Sequence, residues 1–150
     1  MEIKVLSYSK RRAEIIKSVA EFYVKNLNLT KSKYKVFICT DPSLKKDGNN
    51  GLCAKTGDNE ITVAVYSRLD NLKLLYTLAH EFVHVKQIAR GQYTQKNVRG
   101  RVQHFWLGQR VSKKYIDRPW EIEAFKNESL LVERLCDTVV QNIKKQKKRS

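Results

Sequence analysis

A chain of 150 residues suits one domain with one core, and its two prolines and six glycines leave little room for a disordered linker. The net charge of +15, from 30 Lys and Arg against 15 Asp and Glu, favours nucleic acid, anionic surfaces or acidic partners and is no signal of fold. No apolar run approaches the roughly 18 residues of a membrane span, and Met1–Leu6 holds no signal-peptide core before Lys10-Arg11-Arg12, so the expectation is a soluble, intracellular, cytoplasmic protein.

Residues 10–27 predict a helix, with Ala13, Ile16, Val19, Ala20, Tyr23, Val24 and Leu27 near helical spacing. Tyr34–Cys39 predicts a strand closed by the turn Asp41-Pro42-Ser43. Residues 47–51 predict a loop and Leu52–Ala54 a short strand. After the turn Gly57-Asp58-Asn59 comes the clearest strand, Glu60–Tyr66. A second helix is predicted from Asp70, a natural N-cap, to Arg90, with Gly91 just past its end. Residues 92–101 are polar and predict a loop, and Val102–Trp106 with Gln109–Val111 predicts a hairpin across Leu107-Gly108. Pro119 opens a long helix, as proline at a first helical position should. It runs to about Ile143 and frays into a basic tail, residues 144–150. The order predicts an α+β fold: a single domain over 1–143, with a small mixed sheet packed on the second helix and the long C-terminal helix.

Cys39, Cys53 and Cys136 are odd in number and lack C-x-x-C spacing. That argues against a disulfide framework and against a zinc finger.

The most informative segment is His80-Glu81-Phe82-Val83-His84, an H-E-x-x-H pattern inside the second predicted helix. Positions i and i+4 lie about one turn apart on one helix face, so two imidazoles can grip one zinc ion there. The glutamate between them sits on the neighbouring flank, where it can take a proton from an attacking water. Leu74, Leu75, Leu78, Phe82, Val85, Ile88 and Ala89 form the apolar stripe of this helix. At about 100° per residue, His80 and His84 fall off its centre and Glu81 falls at its edge. The pattern predicts a zinc-dependent hydrolase. The competing expectation is a core helix whose histidines satisfy local hydrogen bonds.

A catalytic zinc usually has three protein ligands. The candidates for the third are Glu121, Glu123, Glu128, His104 and Asp117. On the last helix Phe125, Leu131, Val132, Leu135, Cys136, Val139 and Ile143 form the predicted inward stripe. Glu121 lies near its middle and Glu123 nearly opposite, so the phase favours Glu121. A carboxylate on an apolar face is costly unless paired or bound to metal. Glu128, two turns on, suits orientation of His80 or His84 through the other ring N–H, or a plain surface role.

His80-Glu81-Phe82-Val83-His84 followed by Pro119-Trp120-Glu121-Ile122-Glu123-Ala124-Phe125 resembles the zincin metallopeptidases of the glutamate-ligand type. It is similar to the small minimal-domain forms of bacteria and phages, over about residues 34–140. Several of those families place an alanine three positions after the ligand glutamate, as Ala124 follows Glu121 here. Some place an acidic residue four positions after it, where this chain has Phe125. The resemblance implies zinc held by His80, His84 and Glu121, with Glu81 as general base. It also implies a sheet edge that binds substrate in extended form, for which Ile61–Tyr66 is the candidate strand. Tyr115 is the candidate for stabilising the oxyanion, and His104 is an alternative ligand by analogy with SprT-like proteases.

The expected substrate is a protein or peptide, cleaved by a monomer without a membrane partner. The dispersed basic residues make non-specific nucleic-acid contact an additional expectation, and the tail could serve nuclear import in a host with a nucleus. Two alternatives stand beside the peptidase: a SprT-like DNA-associated protease and a non-catalytic basic binding module.

Overall fold

A computed structural model describes residues 1–7, 9–47, 50–112 and 114–150. Its described residues form three helices and two sheets, an α+β arrangement with a long C-terminal helix. The elements run β1 (Glu2–Leu6), α1 (Lys10–Asn26), β2 (Lys35–Asp41), β3 (Gly51–Gly57), β4 (Glu60–Tyr66), α2 (Asn71–Ala89), β5 (Tyr93–Val98), β6 (Arg101–Trp106), β7 (Gln109–Val111) and α3 (Pro119–Arg149). Short 3-10 turns lie at Leu44–Asp47 and Tyr115–Asp117.

The first sheet has the order β1-β2-β4-β3. β1, β2 and β4 are parallel, with Ile3 opposite Val36 and Ile38 opposite Val63. β3 runs antiparallel to β4 and forms the edge. Val36, Ile38, Ile61, Val63 and Val65 share one face of this sheet and are all fully buried, whereas Phe37, Cys39, Thr62 and Tyr66 on the opposite face are half-buried. The second sheet, β5-β6-β7, is antiparallel and largely exposed.

α1 starts at Ser9, whose hydroxyl accepts from the Arg12 amide at 3.3 Å, and it buries Ile16, Val19, Ala20, Tyr23 and Val24. α2 starts at Asp70, whose carboxylate accepts from the Lys73 amide at 2.8 Å. It ends with Gly91 at φ 67°, where the Gly91 amide bonds Ile88 O and the Gln92 amide bonds Gln87 O. That is a paired C-terminal closure for which glycine is best suited. Phe82 and Tyr23 are fully buried between these helices, and the Tyr23 hydroxyl donates to Leu75 O at 2.9 Å.

Four expectations need correction. Glu60–Tyr66 is not the edge strand: it lies between β2 and β3, because Leu52–Ala54 is the middle of a seven-residue edge strand. Residues 2–6, outside the expected elements, form a parallel strand paired with β2, and the Glu2-Ile3-Lys4-Val5 alternation is the signal that marks it. Residues 93–98 are a strand rather than a loop; register with β6 overrides their polarity. The last helix continues to Arg149 rather than ending near Ile143. Its expected inward stripe closes over the core only through Leu131 and Val132, with Leu135 partly covered, while Phe125, Cys136, Val139 and Ile143 are exposed. No helix among the described residues is long and apolar enough to cross a membrane.

Candidate metal centre

Three elements converge on the H-E-x-x-H segment. α2 carries His80, Glu81 and His84, and the first turns of α3 carry Glu121 and Glu128. β3 lies against α2 at Gly51, where a Cβ would stand 2.7 Å from Glu81 Oε1 and 2.8 Å from Thr77 Cγ2. Glycine is what permits that approach.

His80 Nε2 lies 3.2 Å from His84 Nε2 and 3.1 Å from Glu121 Oε2, and His84 Nε2 lies 3.3 Å from Glu121 Oε1. Zinc–ligand bonds of about 2.0–2.1 Å in a tetrahedron place donors roughly 3.3–3.4 Å apart. The two Nε2 atoms stand close to that spacing and Glu121 reaches each of them with a different oxygen, so ligand atoms of the three residues lie within 4.8 Å of one another, near enough to share one ion. Their types, two imidazoles and a carboxylate, also suit zinc. His80 Nδ1 lies 2.7 Å from Glu128 Oε2, and His84 Nδ1 lies 2.8 Å from Gln87 Oε1. Glu128 and Gln87 can each accept from an Nδ1–H, and an ion at the common centre would then meet the two Nε2 atoms. Gln87 is itself anchored, donating through Nε2 to Trp120 O at 3.0 Å. Phe125 packs edge-on against His80 with ring centroids 4.7 Å apart.

Without a cation these groups share protons. Burial disfavours the charged form of His80, but its hydrogen bond to Glu121, the charge of Glu81 and the hydrogen bond to Glu128 together raise its pKa to about 9. His84 moves upward for similar reasons, led by Glu121, against the same opposition from burial. Burial pushes the Glu121 carboxyl up, yet hydrogen bonds from the two imidazoles outweigh it and hold the pKa at about 2. Glu81 behaves differently. It is 6 % exposed, and burial carries its pKa to about 7 despite the pull of both histidines. A base is most effective with a pKa near the working pH.

A cleft of about 370 Å³ opens beside this cluster, lined among others by Gly51, His80, Glu81, Tyr115, Phe125 and Glu128. Tyr115 is half-exposed on its rim; burial and the neighbouring Glu121 carboxylate push its phenol up to about 12.

The fold therefore brings together His80, Glu81, His84, Glu121, Glu128 and Tyr115. Three other candidates stand elsewhere. Glu123 pairs with Lys86 and accepts from Gln87 Nε2 at 3.4 Å. His104 stacks on Tyr93, whose hydroxyl lies 2.7 Å from its Nδ1, in an aromatic cluster with Trp120. Asp117 is exposed. Sequence reasoning missed Gln87, Gly51 and the contact of Phe125 with His80. A glutamine three residues after His84 in a buried phase was a readable signal for the first; Gly51 had none, because its role depends on a tertiary approach. No protein-family model matches this chain, and no curated protein or solved structure matches it.

Proposed function

We propose that this chain is a zinc-dependent metallopeptidase with a zincin-like domain. One observation carries the reading: two imidazole nitrogens and a carboxylate lie close enough to share one ion, and Glu81, a buried carboxylate outside that set, lines the adjoining cleft beside His80. His80, His84 and Glu121 would hold the ion. Zinc would supply Lewis-acid polarisation of a water and of a substrate carbonyl. A purely structural His–Glu network has no need of Glu81.

The residues divide the work. Glu81 takes the proton of the attacking water and delivers it to the departing amine, a transfer suited to its pKa of about 7. Tyr115 keeps its proton throughout the neutral range and so can donate a hydrogen bond to the developing oxyanion. Glu128 and Gln87 fix the two rings. β3, the free edge next to Glu81, offers backbone groups to an extended peptide in place of the central strand β4.

The test is Glu81→Gln, which preserves shape and removes the base. The variant should retain zinc at the parent's stoichiometry and lose about 10²–10⁴-fold in peptide hydrolysis. Cleavage at the parental rate would remove Glu81 from the role of base.

A DNA-associated protease is the second reading, favoured by the exposed basic end of α3, with Lys144, Lys145, Lys147, Lys148 and Arg149 on a continuous helix. It requires binding that weakens steeply with salt and ignores sequence. Deletion of residues 144–150 should weaken that binding without lowering zinc content.

A further inference from the structure

A second cleft, of about 650 Å³, lies further along β3. One side is the Cys53–Lys55 stretch of the β3 edge, and the other is Tyr93, Thr94 and Gln95 at the start of β5, with the end of α2 as floor. Both β3 and β5 are edge strands of their sheets. The lining contains three cations, Lys33, Lys55 and Arg90, and no carboxylate. Arg90 is committed, since its guanidinium donates to Leu27 O at 2.9 Å. Lys33 and Lys55 are exposed and have no carboxylate partner among the described residues. Lys55 Nζ sits 5.9 Å from the centre of the Tyr34 ring. The nearby Glu60 is bonded by the Thr56 hydroxyl at 3.0 Å and does not line the cleft.

We propose that this cleft recognises an acidic side chain of an extended polypeptide substrate, so that the enzyme selects acidic sequences at a fixed distance from the bond it cleaves. The proposal rests on the peptidase reading. Its geometry follows from strand periodicity. Gly51, Cys53 and Lys55 share one face of β3, and Gly51 is the residue that touches Glu81. Lys55 lies four residues further, about 13 Å along the strand at roughly 3.3 Å per residue. A peptide paired to the β3 edge with its reacting bond at Glu81 would place a side chain three or four residues away beside Lys55 and Lys33. Exposed strand edges present unpaired N–H and C=O groups, which a polypeptide can complete in register and a nucleic acid cannot. That favours an acidic peptide over a phosphate backbone as the occupant. Two unpaired lysines then supply the charge complementarity.

The experiment uses the full-length, zinc-loaded Glu81→Gln protein and fluorescein-labelled ten-residue peptides with blocked ends. The peptides share one neutral sequence and carry Glu, Gln or Lys at a single position, moved stepwise along the peptide. Fluorescence anisotropy reads affinity. The Glu peptide should bind about fivefold more tightly than the Gln peptide at one register only, a size fitting one or two partly exposed ion pairs. Lys33→Glu with Lys55→Glu should reverse the preference toward the Lys peptide; both positions are exposed, and an unchanged melting temperature verifies the fold. Equal affinity for all three peptides, an unaltered preference in the double variant, or no peptide binding at any register would overturn the proposal. Displacement of peptide by an oligonucleotide that binds tighter than any peptide, and loses that binding in the double variant, would assign the cleft to nucleic acid and overturn it equally. Hydrolysis of the Gln peptide by the parent protein reports on the peptidase reading alone, so the two can fail separately.

Discussion

α2 and α3 meet at the candidate metal centre but are held in opposite ways. α2 buries ten of its nineteen residues, including His80 and Glu81. α3 buries five of thirty-one, all between Trp120 and Val132. α2 is a core element whose position is fixed by the sheet on one side and by helices on others. α3 is a core element for its first turns and a projecting basic rod thereafter. The contrast explains where the candidate donors sit. Donors must be held within a few tenths of an ångström, and only the stretch where the two helices overlap offers that support. Glu121 and Glu128 both lie there, and nothing past Leu135 contributes to the centre.

The contrast can be broken most forcefully in the core. Phe82 is fully buried two residues before His84, whereas Val139 is half-exposed on the projecting part of α3. Phe82→Ala should destabilise the protein by about 3–5 kcal/mol through lost burial and a residual cavity. Val139→Ala should stay within about 0.5 kcal/mol. Chemical denaturation of both variants decides it. Comparable losses would mean that the outer part of α3 is packed as tightly as α2.

Next in size is the choice between two glutamates on one turn of α3. Glu121→Ala removes a donor and should lower zinc affinity by more than about a hundredfold, beyond what loss of an orienting partner costs. Glu123→Ala frees Lys86 and loosens the α2–α3 contact while leaving the donors in place, so zinc affinity should change by less than about threefold. Competition with a chromogenic chelator measures both. A larger loss in the Glu123 variant would reverse the assignment.

This pair also marks what could be read without coordinates. Helical phase alone separated Glu121 from Glu123, because a 3.6-residue period is a property of the local chain. The caps at Asp70 and Gly91 and the hairpin across Leu107-Gly108 were legible for the same reason. Strand order was not. β4 reads as the strongest strand because Ile61, Val63 and Val65 give it one fully buried face and Thr62 and Ala64 keep the run free of charge, a pattern that marks a strand without saying which strands flank it. β5 is too polar to announce itself, and its pairing with β6 is stated only by tertiary register. The apolar stripe of α3 was legible as a stripe, but where the sheet and α2 stop covering it depends on the dimensions of the rest of the fold.

Glu128 sharpens the comparison from within the overlap. It orients His80 from two turns beyond Glu121, through an Nδ1–Oε2 distance of 2.7 Å. Glu128→Ala should cost about 10–100-fold in zinc affinity, the usual range for a partner of a ligating histidine. Glu128→Gln, which can still accept that hydrogen bond, should restore much of it. If alanine and glutamine variants both bind zinc like the parent, the ring is held by α2 and Phe125 alone.

The smallest effect concerns protons in the metal-free protein. His80 rises from 6.5 to about 9 and Glu81 from 4.5 to about 7 on folding. A group whose pKa is higher in the folded state contributes stability that is fully present below its unfolded value and is lost as pH rises through the folded one. For Glu81 that loss falls between about pH 4.5 and 7, and for His80 between about pH 6.5 and 9. The chelated protein should therefore melt a few degrees lower at about pH 9 than at about pH 6. Zinc requires deprotonated imidazoles, so its stabilisation should grow over the same interval as protons cease to compete. Melting curves at the two pH values, with chelator and with zinc, give four numbers. The gap between loaded and metal-free protein should widen toward high pH, and widen less in Glu128→Gln, where the partner that helps hold the His80 proton is weakened. A metal-free protein that gains stability toward pH 9, or a gap that narrows, would mean that α2 and α3 are not joined through shared protons when the metal is gone.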